Sequence, residues 1–220
     1  MSEGQTLQHV DAIDGTGDPI VGAILPGEYE LWDVAHTCLT ILFDPARIKR
    51  GLVAHRELGY PLEAGGSFQL VVDKDFRDAQ GLPLRSGAAQ RYAVGDDERR
   101  RVEPGSWEQR VPAVGTNNTL QILFPRPLDH ALLSRCVHVV DPDGHRLEGT
   151  ASVGPEERSW EFRPNVAWGR GEHHLVVDAV AEDLAGNSVR RVFDRDLDRV
   201  EDDPLTGDSV AANFHPLEPS

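Results

Sequence analysis

The feature that most constrains this chain is that it nearly repeats itself. Shifted by 127 positions, Val10, Asp14, Gly17 and Gly22 fall on Val137, Asp141, Gly144 and Gly149 without a gap. At a shift of 105, Gly66, Leu70, Val71, Val72, Asp73, Asp78 and Gly81 meet Gly171, Leu175, Val176, Val177, Asp178, Asp183 and Gly186. Asp and Gly at matched turn positions, with matched apolar residues between them, are what two copies of one small β domain leave behind. The 220 residues divide into two such domains of about 100 residues, each long enough to close a core.

The apolar runs are short and regularly interrupted. Val10 to Ile13 stops at GTGDP, Leu39 to Phe43 at DP, Phe68 to Val72 before DAQG, and Tyr92 to Val94 at GDD. Leu120 to Phe124, Val137 to Val140, Ser159 to Phe162, His174 to Val177 and Val189 to Phe193 follow the same habit. Turn chemistry at such intervals leaves little room for helices of ordinary length, so the expected fold is all-β, two antiparallel sandwiches in tandem. The boundaries read as 1–95, a junction over 96–117 rich in like charges, Pro and Gly, a second domain over 118–198, and an acidic tail over 199–220. Within the tail, Ser209 to Phe214 is suited to one more strand. Trp107, alone in the charged junction, is expected to pack against the second domain rather than to meet a ligand.

The second half carries a recognisable order of motifs: NTLQILFPRPLDHALL, VHVVDPDGHRLEG, RSWEFRPNVAWGRGEHHLVVD and AEDLAGNSV. It resembles the bacterial Ig-like domains of SbsA-type surface-layer proteins. In that family a first strand ends in Phe-Ser-x-Pro-Met-Asp, then come a D-x-x-G turn, a T-F-x-P step, a G-x-x-Y-x-V strand and a D-x-A-G-N turn. Phe124, Pro127, Leu128 and Asp129 match the first motif, Phe162 and Pro164 the third, Gly171 and Val176 the fourth, and Asp183, Ala185, Gly186 and Asn187 the last. Leu128 replaces Met and His174 replaces Tyr. The resemblance covers about 90 residues of the second half and the first half more loosely. It implies Ig-like sandwiches, a non-enzymatic spacer or adhesion role, and partners that are proteins or glycans at a bacterial cell envelope or outside the cell.

Aligned on this frame, the first half departs in three ways. Its hairpin between Gly22 and Phe43 is 8 residues longer than that between Gly149 and Phe162, and carries PGEYELWD. After Pro45 comes a 14-residue insertion around ARIKRGLVAHRELGYP, at about 46–60. Met1 aligns with Leu128, so domain one is expected to lack its first strand. An unpaired edge of that kind attracts another strand. A start internal to a longer secreted protein, a fold-back of the segment near Val210 and Phe214, and a strand lent by a partner in a strand-exchange dimer are the three ways to fill it.

For chemistry, the insertion gathers Arg47, Lys49, Arg50, His55 and Arg56 on a chain of net charge −15. A basic loop on an acidic body suits a carboxylate, a glycan acid or an acidic partner. The plainer alternative is pairing with the chain's own Asp and Glu. A ligand module would use Arg47, Lys49, Arg50 and Arg56 with Trp32 and Tyr29 as stacking groups, against core packing of Trp32 as the alternative. The acidic balance argues against nucleic acid and anionic lipid surfaces, and no run approaches the roughly 20 apolar residues of a membrane span. The opening MSEGQTLQHVDAIDG lacks the basic end and apolar run of an export signal.

No cofactor is expected. His173 and His174 are adjacent in a strand and so face opposite ways; neither HExxH nor CxxC occurs. DGTGD at Asp14, DPDG at Asp141 and EDLAG at Glu182 lack the EF-hand spacing, which leaves Asp and Gly as turn formers, with calcium the alternative. No G-x-S-x-G elbow or phosphate loop is present. Cys38 and Cys136 are not at equivalent positions and read as reduced thiols.

Overall fold

The computed structural model describes residues 6–26, 31–32, 35, 37, 39–49, 52–78, 81–195, 199, 202 and 207–218. The chain is all-β in character, with several antiparallel sheets and a few short helices. It forms two compact units, Met1–Asp97 and Glu98–Ser220. Among the described residues no helix is long and apolar enough to cross a membrane.

Unit 2 is sandwich-like. One sheet has β6 (Glu108–Arg110), β7 (Leu120–Leu123), β10 (Ser159–Pro164) and β9 (Gly149–Val153) in that order; the other has β12 (Ser209–Phe214), β11 (His173–Asp178) and β8 (Val137–Val140). Strict alternation drives the packing. Leu120 and Ile122 of β7, Val137 and Val139 of β8, and Leu175 and Val177 of β11 point into one core, while their neighbours are half-exposed. Trp160, Phe162, Trp168 and Phe214 complete that core. Each fully buried aliphatic side chain of this kind stabilises the fold by roughly 1.5–3 kcal/mol.

The 96–117 segment, expected as an exposed junction, is largely built into unit 2. Val102, Pro104 and Trp107 are buried, and Trp107 meets Phe124 edge-on at 4.6 Å. Charges in this stretch sit at the surface while its apolar residues reach the core, which composition averaged over the segment conceals. The tail segment Ser209–Phe214 is β12, paired along its length with β11, from His173↔Phe214 to Asp178↔Ser209. It completes unit 2 and is therefore not folded back into unit 1.

Unit 1 has a three-stranded sheet, β1 (Val10–Asp14), β4 (Ser67–Val72) and β5 (Ala88–Ala93), with β4 in the centre, and a small hairpin of β2 (Leu31–Trp32) and β3 (Leu39–Thr40). Its pairing follows that of unit 2. Val10↔Val72 and Ala12↔Leu70 correspond to Val137↔Val177 and Val139↔Leu175, at the same offsets of 127 and 105. The turns agree as well. Asp14 accepts from Asp18 N–H and Asp141 from His145 N–H through Oδ1, and Gly17 and Gly144 take positive φ of 99° and 86°. Asp78 and Asp183 cap their turns alike, with Gly81 and Gly186 both at φ 79°.

The insertion after Pro45 folds as two short helices, α2 (Pro45–Ile48) and α3 (Val53–Leu58), preceded in the chain by a single turn, α1 (Thr6–His9). Asp44 caps α2 by accepting from Ala46 N–H at 2.8 Å, and Pro45 supplies a preset φ at the first helical position. In unit 2, α4 (His130–Cys136) starts at Asp129, whose carboxylate accepts from Leu132 N–H at 2.9 Å.

Candidate functional site

Among the described residues, those singled out in the insertion do not converge on a common opening. Arg47 is buried. Its Nε donates to Gly59 C=O at 2.9 Å, one terminal nitrogen donates to Leu58 C=O at 3.2 Å, and the other donates to Val21 C=O. Two of those carbonyls lie at the C-terminal end of α3, where backbone acceptors lack partners within the helix and a cation is favoured. The planar guanidinium is thus the clamp that closes α2 on α3 and ties both to the loop at Val21. His55 strengthens the clamp: its Nδ1 lies 2.9 Å from Arg47 C=O, and its ring sits edge-on to Tyr60 at 4.5 Å.

Lys49 is half-buried, its N–H closing α2 on Pro45 C=O at 2.9 Å. Arg56 lies exposed on α3. Arg50 and Tyr29 fall outside the described residues. Trp32 is half-buried, tilted against Phe76 at 6.4 Å, and packs on the core formed with Val10 and Ile24. So Arg47 and Trp32 serve packing, Arg56 faces solvent, and the arrangement brings none of them to a shared cleft.

A second set of charged residues holds unit 2 together where the chain enters it. Asp183, buried, accepts from Arg126 Nε at 2.7 Å and from the N–H groups of Ala185 and Asn187, both at 2.9 Å. Arg126 also donates to Arg100 C=O at 2.6 Å and Arg101 C=O at 3.0 Å, while Asn187 Nδ2 donates to Glu98 C=O at 2.9 Å. Glu98 in turn binds Arg100 at 2.6 Å, and that bond, helped by nearby Arg126, holds its carboxyl well below the usual range, at about 2. A cleft of about 360 Å³ bordered by Arg100, Arg101, Arg126 and Trp107 lies here, but its cations are matched by Glu98, Glu103 and Asp183. The Asp and Asn of the D-x-A-G-N motif therefore do more than shape a turn. Only their contact with residues about 60 to 90 positions away reveals it.

Next to this network Glu182 is pushed up to about 7, first by burial and then by the neighbouring Asp129 and Asp183 carboxylates. His173 is buried against Trp168 and Phe214, with Nδ1 3.2 Å from Gly171 C=O, and burial lowers its pKa. His174, on the other face of β11, meets Asn213 at 2.9 Å. Among the described residues, ligand atoms of Asp141, Asp143 and His145 lie within 4.8 Å of one another. They offer one atom each, against the six to eight oxygens calcium takes, and Asp141 Oδ1 already accepts from the N–H groups of Asp143 and His145 at 3.0 and 2.8 Å. Cys136 is a free, buried thiol whose pKa burial pushes up; Cys38 lies outside the described residues.

Neither protein-family models nor curated proteins give a match to this chain.

Proposed function

We propose that the chain is a non-enzymatic structural module, one Ig-like β-building block used twice, acting as a spacer or adhesion element of a bacterial envelope or secreted protein. The observation that carries this reading is the agreement of the two units in register. β1, β4 and β5 pair as β8, β11 and β12 do, residue for residue at fixed offsets, and the capping Asp and positive-φ Gly of both turn pairs coincide. Two copies of a rigid β unit supply reach and hold loops apart, a role that asks nothing of convergent catalytic groups. The motif order of the second half supports the surface-layer assignment.

Subcellular fractionation of the native cells with an antibody to the chain tests the assignment. Recovery in the envelope or medium is the expected result. A wholly cytosolic protein overturns it.

A further inference from the structure

We propose that unit 1 accepts an extended segment of a partner polypeptide, added antiparallel along residues 40–43, with apolar side chains at alternate positions. The proposal goes beyond the spacer reading and does not depend on it.

Unit 2 shows what belongs at this place. There β10 lies between β9 and β7, and the bond from Phe124 N–H to Arg158 C=O at 2.8 Å sets the alternation. By that alternation Leu120/Phe162 and Ile122/Trp160 are hydrogen-bonded pairs. Leu120 and Ile122, both fully buried, then pack in the same core as Leu175 and Val177.

In unit 1 the same strand position is taken by the run from Thr40 to Phe43. The bridge Ile24↔Phe43 corresponds to Ala151↔Phe162, with Pro45 matching Pro164. Leu42 C=O accepts from Leu25 N–H and Asp44 N–H donates to Ala23 C=O, both at 2.8 Å. Residues 42 and 44 thus face the Ala23–Leu25 side, so the N–H and C=O groups of Ile41 and Phe43 face the opposite edge. Among the described residues those groups have no backbone partner. They stand where Trp160 and Phe162 take up β7.

The neighbouring sheet registers the same vacancy of cover. In β11 His173, Leu175 and Val177 are buried, with Leu175 and Val177 at 0% exposure. Their counterparts Phe68, Leu70 and Val72 are only half-buried, and no residue of β4 is fully buried. A strand that pairs with Ile41 and Phe43 satisfies four backbone groups and lays two apolar side chains over this face, the combination by which strand addition gains both affinity and specificity.

The probe is a fluorescein-labelled peptide of this chain's own residues 117–129, titrated into the intact chain. Saturable 1:1 binding is expected, with new hydrogen-exchange protection at the amides of Ile41 and Phe43. N-methylation of the peptide at Leu120 or Ile122, whose amides would face the edge, is expected to weaken binding at least ~10-fold, the equivalent of about 1.4 kcal/mol. Methylation at Gln121, facing away, leaves the affinity within about twofold of the parent on the same alternation argument. Absence of saturable binding up to about 1 mM, a weak limit of about −4 kcal/mol, overturns the proposal. So do binding that is indifferent to which amide is methylated, and Ile41 and Phe43 amides that are already protected in the free chain.

Discussion

His173 stacks on Phe214 at 5.4 Å across the β11/β12 pair, and the corresponding residues of unit 1, Phe68 and Tyr92, stack at 5.1 Å across β4/β5. An imidazole therefore fills a position that an aromatic hydrocarbon fills in the other unit. Burial favours its neutral form.

His173→Phe follows as the first test. Burial lowers the folded-state pKa of His173 below its ordinary 6.5, so the unfolded chain binds the proton more readily. The stability this group contributes is present above pH 6.5 and is lost as pH falls through its lowered folded value. Urea denaturation of unit 2 at pH 7.5 and 5.5 is expected to show a smaller loss on acidification for His173→Phe than for the parent chain.

Glu182 works in the opposite sense. Its folded pKa of about 7 lies above the unfolded 4.5, so the folded chain holds the extra proton between those values. The associated stability is complete below about pH 4.5 and lost as pH rises through about 7. Glu182→Gln keeps a neutral polar group there at all pH, and its melting temperature at pH 8 is expected to exceed the parent's by a few degrees, about what 1 kcal/mol gives in a domain of this size. At pH 5 the difference should vanish.

Arg47 is expected to be the most sensitive position of the insertion. Arg47→Ala removes the three hydrogen bonds that the buried guanidinium makes to the carbonyls of the exposed residues Val21, Leu58 and Gly59, a loss of about 1–2 kcal/mol since water can take up the freed acceptors. Arg47→Lys keeps the charge but not the fork, and should recover less than half of that loss. Hydrogen exchange at the amides of α3 reads both variants. A surface-like effect below about 0.5 kcal/mol for Arg47→Ala contradicts the clamp.

Arg126 and Asp183 form a coupled pair. Removing Arg126 alone leaves a buried carboxylate, a loss of about 3–5 kcal/mol, whereas Arg126→Met together with Asp183→Asn should cost clearly less than the sum of the singles. The double-mutant cycle by chemical denaturation measures the difference. Strict additivity would remove the network from the account of unit 2.

Much of the β framework was legible because it is written locally. Alternation in Leu120 to Leu123 and Val137 to Val140, Asp and Gly at fixed turn offsets, and the apolar rhythm of Ser209 to Phe214 each need only a few consecutive residues. The helices of the insertion were missed. Asp44-Pro45 is a sound helix start, but four and six residues are too short to show a period, and what holds them is Arg47 reaching carbonyls 26, 11 and 12 positions away. The charged run before Trp107 misled for the same reason: Arg126, Asp183 and Asn187 anchor it from far along the chain. Contacts of that range leave no trace in a window of sequence.

The two cores are unequal, and that sets an order of yielding. Among the described residues the buried apolar side chains of unit 1 are Val10, Ala12, Ala23, Ile24 and Phe76, while unit 2 has four buried aromatic rings in β10, Trp168 and Phe214 alone. With so much less apolar surface withdrawn from water, unit 1 is expected to open at lower denaturant than unit 2.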